Sequence, residues 1–333
     1  MHSSKPCSQP TPPRSLACTN CGCTGPRTLR IFQLGNAIEA ELARFLRQVP
    51  GVELHTESGD GSQFGFRYLG EHFAGSMDSA ILGVPEAPKT WHVWESKSVS
   101  HKRFADLVKK GVKEWSPEYY AQLQCYMGAS GMDRALFMAY DKDDSSIHVE
   151  RVHREPMFWE GMLAKAERII TTYDAPASSF KDRTWFEAKF MSEDAQAIYW
   201  GDRLPRPNCR NCRFCEADLE DEAAVWHCHW WKDDRDLVQQ FNGCDDHQFL
   251  TCFMSEIADP VESNQPLAMY RHKTTGKLFA NGLGDHGADY ACYSSAELAA
   301  LVDPKAFVTD TFVDGVKATF HGSKIVTTGE VPF

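Results

Sequence analysis

The chain has 333 residues, 42% of them apolar and 24% charged, with a formal net charge of −11. That length supports one main domain with smaller additions, and the composition is that of a folded globular protein. The acidic balance excludes a protein that coats nucleic acid through net charge, so any DNA contact must come from a local basic patch.

No apolar run approaches membrane-spanning length, and the first fifteen residues, MHSSKPCSQPTPPRS, lack the apolar core of a signal peptide. A cytoplasmic protein with no membrane span is therefore expected. In that compartment the twelve cysteines read as metal ligands rather than disulfides.

Residues 1–30 are rich in Pro, Ser, Thr and Cys without periodicity, which predicts an N-terminal arm. Cys18, Cys21 and Cys23 lie in it as free thiols or as contributors to a metal site. From Ile31 to Val49 the pattern turns helical, with Ile31, Leu34, Ile38, Leu42, Phe45 and Val49 recurring at three and four. Glu39 falls on the margin of that stripe and Glu41 on a more polar side; a carboxylate placed like Glu39 needs a partner or a metal.

Residues 52–57, 64–69 and 72–82 read as successive strands of an antiparallel meander whose last member carries Asp78. A second extended run, Trp91–Val99, follows a Pro-rich loop and carries Glu95 and Lys97. Two apart on a strand, these side chains share a face. An Asp and a Glu brought together make a hard oxygen site for Mg²⁺ or Mn²⁺. The adjacent Lys supplies a cation, which is the chemistry of metal-assisted phosphodiester hydrolysis.

After Lys97 the segment SVSHKRFADLVKKGVKEW concentrates positive charge, with Lys102, Arg103, Lys109 and Lys110 as candidate phosphate contacts. Ser116-Pro117-Glu118 is a helix start. On the helix that follows, Gln122 and Tyr126 are four apart and share a face. Strands at 135–140 and 147–152 complete a core by about residue 155.

In this order, Gly75-x-x-Asp78, Glu95-x-Lys97 and Gln122-x-x-x-Tyr126 resemble the PD-(D/E)XK nuclease superfamily, in its RecB and lambda-exonuclease-like branch. The resemblance covers roughly residues 31–155. It implies an α/β fold with a restriction-endonuclease-like core, a mixed central sheet flanked by helices. It further implies Asp78 and Glu95 as Mg²⁺ ligands, Lys97 and Gln122 orienting the attacking water with Tyr126 beside them, and Glu39 as an auxiliary helical ligand. Asn36 stands where RecB-like members often carry a His, a departure from the pattern.

Met157–Tyr173 reads as an amphipathic helix, and the mixed stretch to Arg206 ends in a Pro-containing linker. The next stretch, PNCRNCRFC through CDDHQF, offers Cys209, Cys212, Cys215, Cys228, Cys244 and His247, of which four suffice for tetrahedral zinc or an iron–sulphur cluster. CRISPR-adaptation and AddB-type nucleases of similar core hold a [4Fe–4S] cluster with one Cys before the core and three after it. Here the last two would be spaced more closely and a C-x-x-H pair is present, so the spacing leans to zinc. The expected domains are 31–200 (nuclease core), 201–255 (cysteine-rich metal-binding extension) and 256–333 (a small α+β region with a hairpin at Leu267–Ala280 and a helix near Ala296–Leu301).

The implied function is a Mg²⁺-dependent DNA exonuclease in recombination or end processing. Its partners would be linear duplex or single-stranded DNA, a single-strand annealing or recombination protein, and further copies of itself. An endonuclease, a CRISPR-adaptation-type iron–sulphur nuclease and a non-catalytic DNA-end-binding adaptor stand as alternatives.

Overall fold

A computed structural model of the chain describes residues 26–59, 61–174, 180, 182, 192–220, 223–262, 266–284, 290–301 and 304. Cys18, Cys21 and Cys23, and with them most of the expected N-terminal arm, lie outside the described residues. The chain divides into two units. The first holds the described residues up to Phe66 together with Ala74–Leu163; the second holds Arg67–Phe73 and the described residues from Ala164 on.

In chain order, helix α1 (Pro26–Leu46) precedes β1 (Glu53–His55), β2 (Gly65–Tyr68), β3 (Phe73–Ser76), β4 (Ser79–Leu82) and β5 (His92–Val99). Helices α2 (His101–Lys110), α3 (Val112–Trp115) and α4 (Pro117–Ser130) then lead to β6 (Arg134–Asp141), β7 (Ile147–His153) and α5 (Pro156–Thr171). The central sheet has the order β1-β4-β5-β6-β7. Its β5 and β6 run parallel and every other pairing is antiparallel, so it is a mixed sheet flanked by helices. The parallel pair follows from the helical crossover that separates β5 from β6.

Period-2 alternation along β5 sorts its side chains between two cores. Val93 and Val99 join Leu123, Tyr126, Met127 and Phe137 on the α4 side. Trp94 joins Leu42, Ile81, Leu136 and Met138 on the α1 side. Glycine allows the closest approach between α4 and α5, where a Cβ on Gly128 would meet Trp159 Cγ at 2.3 Å.

Three expectations fail here. The run 72–82 is not one strand, because the chain leaves β3 at Met77, bends at Asp78 and starts β4 at Ser79. Nor is there a meander: β2 and β3 form their own two-stranded ribbon, while β4 pairs directly with β1. The run of small and apolar residues continues across the bend without a Gly or Pro at it, which hides the change of sheet. Third, of the apolar stripe of α1 only Leu42 is fully buried, with Ile38 half-buried beside it. Ile31 (57%), Leu34 (49%), Phe45 (38%) and Val49 (40%) remain exposed, since periodicity reports a face and not what covers it.

In the second unit, α6 (Glu193–Tyr199) is followed by a 3₁₀ turn at Cys209–Asn211 and by β8 (Cys215–Ala217), β9 (Trp226–Cys228) and β10 (Asp233–Arg235), ordered β10-β9-β8. Beyond them come α7 (Leu237–Asn242), α8 (Thr251–Met254), β11 (Ala258–Pro260), β12 (Ala268–His272), β13 (Leu278–Asn281), β14 (Tyr290–Tyr293) and α9 (Ser295–Ala299). The expected hairpin is β12–β13, with Tyr270 opposite Phe279, and the expected C-terminal helix is α9.

A buried polar knot joins this sheet to the segment after the cysteines. Phe249 N donates to Asn281 Oδ1 at 2.7 Å, and Ser295 Oγ donates to the His247 carbonyl at 2.8 Å. No described helix is long and apolar enough to cross a membrane.

Candidate active site and cysteine cluster

Glu95 and Lys97 point from the central strand β5 to the α4 face, as their spacing requires. Glu95 is only 1% exposed and its Oε1 is bonded by the Lys97 ammonium, itself 25% exposed. The other carboxylate oxygen, Oε2, is buried and meets no hydrogen-bond donor. Burial raises the Glu95 carboxyl to about 7; Lys97 opposes this shift and the neighbouring Asp78 adds to it. Burial pulls the Lys97 ammonium down, but attraction to Glu95 and then Asp78 outweighs it, and the net shift is upward.

Two helices complete the group. On α1, Glu39 is half-buried, and its carboxyl is raised by burial and then by repulsion from Asp78, against the pull of Lys97. Glu41, one position outside that margin, is exposed and paired with Arg44 at 2.6 Å. On α4, Gln122 Nε2 donates to the Tyr126 hydroxyl at 2.6 Å. Burial raises the Tyr126 phenol, and the Glu95 and Asp78 charges add to the rise.

Asp78, Glu95, Lys97, Glu39 and Tyr126 thus share one electrostatic neighbourhood, with Gln122 bonded to its edge. Asp78, Glu95 and Glu39 are hard oxygen donors of the kind a divalent cation takes, although among the described residues only His101, Asp141 and Asp144 bring three ligand atoms within 4.8 Å of one another. A cation held by Asp78 and Glu95 would satisfy Oε2 and offset the desolvation, and after it the Asp78 repulsion, that raises the Glu95 carboxyl.

Sequence reading missed Tyr119, whose ring centroid lies 5.2 Å from Lys97 Nζ. Its position three before Gln122 and seven before Tyr126, on the same helix face, was the available signal. The helix start behaves differently from expectation: Ser116 occupies the N-cap position but makes no side-chain cap, and its hydroxyl donates to Glu118 instead.

Also missed was a second acidic group, at the β6–β7 turn. His101, Asp141 and Asp144 each bring a ligand atom within 4.8 Å of the others. His101 Nδ1 lies 2.7 Å from Asp141 Oδ2, and Asp141 Oδ1 accepts from Asp143 N. These direct bonds tie the start of α2 to the turn, and they raise the exposed His101. The sequence DKDDSS signalled only the turn.

Among the basic candidates, Lys102, Arg103, Lys109 and Lys110 are all exposed on α2. Lys110 faces Asp106 at 3.8 Å, whereas Lys113, just beyond the helix, pairs with Glu155 at 2.6 Å.

In the second unit, Cys209, Cys212, Cys215 and Cys228 form one buried cluster. Backbone turns bring the first three together, Cys212 N bonding Cys209 O and Cys215 N bonding Cys212 O. Antiparallel register places Cys228 directly opposite Cys215, so their side chains lie on one face. The Cys215 thiol, shared with its neighbours, lowers Cys209 and holds Cys212 at about 7, while Cys215 itself is raised.

The cluster opens on a cavity of ≈ 270 Å³ that Cys244 and His247 also line. Cys244 is exposed, and its thiol is raised by burial of the sulphur. His247 is buried and held at about 4 by desolvation. Its Nε2 bonds Asn211 Oδ1 at 2.7 Å and Asn208 O at 3.1 Å. Its Nδ1 is buried without a partner. If Nε2 carries the proton, Nδ1 keeps a free lone pair suited to a metal, with the carbonyl partners fixing the tautomer.

Neither a protein-family model nor a curated relative matches the chain. Among solved structures it is similar to an alkaline exonuclease, LHK-Exo, from Laribacter hongkongensis, at 22% identity and TM-score 0.30 over 41% of this chain and 69% of that one. It is similar at 20% identity and TM-score 0.29 to LHK-Exo in complex with dAMP, over 41% and 70% of the two chains. A third structure, SSO0001, matches at 14% identity and TM-score 0.28, over 46% and 69%.

Proposed function

We propose that the first unit is a Mg²⁺-dependent deoxyribonuclease acting as an exonuclease in recombination or end processing. Asp78 and Glu95 hold the metal and Glu39 assists, while Lys97 and Gln122 orient the attacking water. The observation that supports this most is the buried, partnerless Oε2 of Glu95 beside Asp78 and Lys97. A fully buried carboxylate with one oxygen unsatisfied is costly in a merely structural role and useful as a metal ligand.

Asp78 and Glu95, with Glu39, would hold a divalent cation that, when bound, would polarise the scissile phosphoryl group and lower the pKa of a water. Lys97, held by Glu95 on one side and the Tyr119 ring on the other, presents its N–H groups toward the reacting phosphate. Gln122, fixed by Tyr126, offers an amide oxygen to orient a water. Digestion of end-labelled linear DNA against closed circular DNA, with Mg²⁺ or with EDTA, tests the reading. Metal-dependent loss of the linear form alone is expected; cutting of circles would make it an endonuclease, and binding to ends without cleavage an adaptor.

The cysteine cluster is read as a structural zinc site using four of Cys209, Cys212, Cys215, Cys228, Cys244 and His247. Four buried thiols and the free Nδ1 of His247 are zinc donors. A [4Fe–4S] cluster is the competing occupant, and a brown preparation containing iron would establish it instead.

A further inference from the structure

The cations near the candidate site are not equivalent: Lys97 and Lys113 lie over rings and are also paired with Glu95 and Glu155, whereas Arg103 lies over a ring with no ion pair among the described residues. Its guanidinium Cζ lies 4.7 Å from the centroid of the Trp115 ring. Trp115 abuts Tyr119 at 5.7 Å, and Tyr119 in turn carries Lys97 Nζ at 5.2 Å. Both rings rest on the buried Phe137 of β6, each at 6.4 Å. One aromatic platform, founded on the central sheet, therefore seats two cations side by side.

Lys110 and Lys113 are committed to carboxylates. Arg103 makes no ion pair among the described residues; Glu118 is the carboxylate that senses its charge. A stacked guanidinium loses little further freedom on binding, and its edge keeps the N–H fork that matches a phosphate.

We propose that Arg103, seated on Trp115, forms a subsite for a backbone phosphodiester close to the scissile one. The ligand is a phosphate of the nucleic acid strand being cut, so the inference rests on the nuclease reading. Lys97 serves the reacting phosphate and Arg103 a phosphate a short way along the same strand. Trp115 is a positioning residue that acts through Arg103.

The test uses oligonucleotides carrying a single uncharged methylphosphonate at successive linkages around the cut, with the full chain and Mg²⁺. For the natural protein, one linkage other than the scissile one should lower kcat/KM by about 10- to 100-fold, the worth of a charge-assisted hydrogen bond to a phosphate. Arg103→Ala should show that loss on the all-phosphate substrate and no additional loss at that linkage. Arg103→Lys should recover part of it, and Trp115→Leu should fall between.

If Arg103→Ala cleaves normally, or stays as sensitive as the natural protein at every linkage, the subsite is overturned. Should the natural protein cleave no substrate, the nuclease reading fails by itself. Binding of the same oligonucleotides with Ca²⁺ then decides the subsite, through the presence or absence of one Arg103-dependent linkage.

Discussion

At the scale of single residues, the candidate site is a contest between burial and charge, and Glu95 is where it is decided. Desolvation wins over its ion pair with Lys97, so the carboxyl titrates near 7 rather than 4.5. The native state then binds a proton more tightly than the unfolded chain does. That contribution to stability is complete below about pH 4.5 and is lost as pH rises through about 7. At about 1.4 kcal/mol per pKa unit, the loss is on the order of 3 kcal/mol.

Metal-free protein should therefore lose melting temperature from this group between pH 5 and pH 8. Mg²⁺, which needs the ionised carboxylate, should raise the melting temperature more at pH 8 than at pH 6. Equal stabilisation at both values, measured by thermal melts with and without Mg²⁺, would show that Glu95 is not a ligand. Lys97→Ala should preserve folding and lower turnover by about 10²- to 10⁴-fold if the ammonium stabilises charge or orients water. Unimpaired cleavage of linear DNA by that variant would sink the mechanism.

At the scale of elements, α2 is the candidate track for the DNA backbone, and its charges sort by partner. Lys102 and Lys109 lie seven residues apart on one exposed face, outside any ion pair among the described residues. Replacing both by Ala should flatten the slope of log affinity against log salt for duplex DNA by about two units, roughly 0.9 per phosphate contact. Lys113→Ala, which removes a cation already paired with Glu155, should leave the slope unchanged. An unaltered slope for the double variant would make the run a solvated face.

The same elements show what a sequence makes legible. Glu95, Lys97, Gln122 and Tyr126 were readable because strand and helix periods fix which side chains share a face. The break at Asp78 and the separate β2–β3 ribbon were not, since pairing partners are chosen by tertiary packing rather than local pattern. Arg103 was readable as a candidate phosphate contact, but its seat on Trp115 and Tyr119 was not, because the three meet only after α2, α3 and α4 fold back against one another.

At the scale of the whole molecule, the candidate site lies in the first unit and the cysteine cluster in the second. The cluster's four thiols are tied by turns and by the β8–β9 register, and the segment just beyond it, His247–Phe249, is knotted into the C-terminal sheet through Asn281 and Ser295. Structural zinc can contribute about 10–16 kcal/mol of apparent binding free energy to folding of a small module. A cluster with that linkage should hold the C-terminal sheet as well as its own loops. Cys212→Ser should thus lose bound metal, melting temperature and amide-exchange protection across β11–β14 together. Asp78→Ala should keep all three and lose only nuclease activity. Elemental analysis, thermal melts and hydrogen exchange on the two variants test this division, and zinc, being colourless, is separated from iron–sulphur by inspection. A Cys212→Ser protein with native metal content and melting temperature would remove Cys212 from the ligand set, and with it the structural role assigned to the cluster.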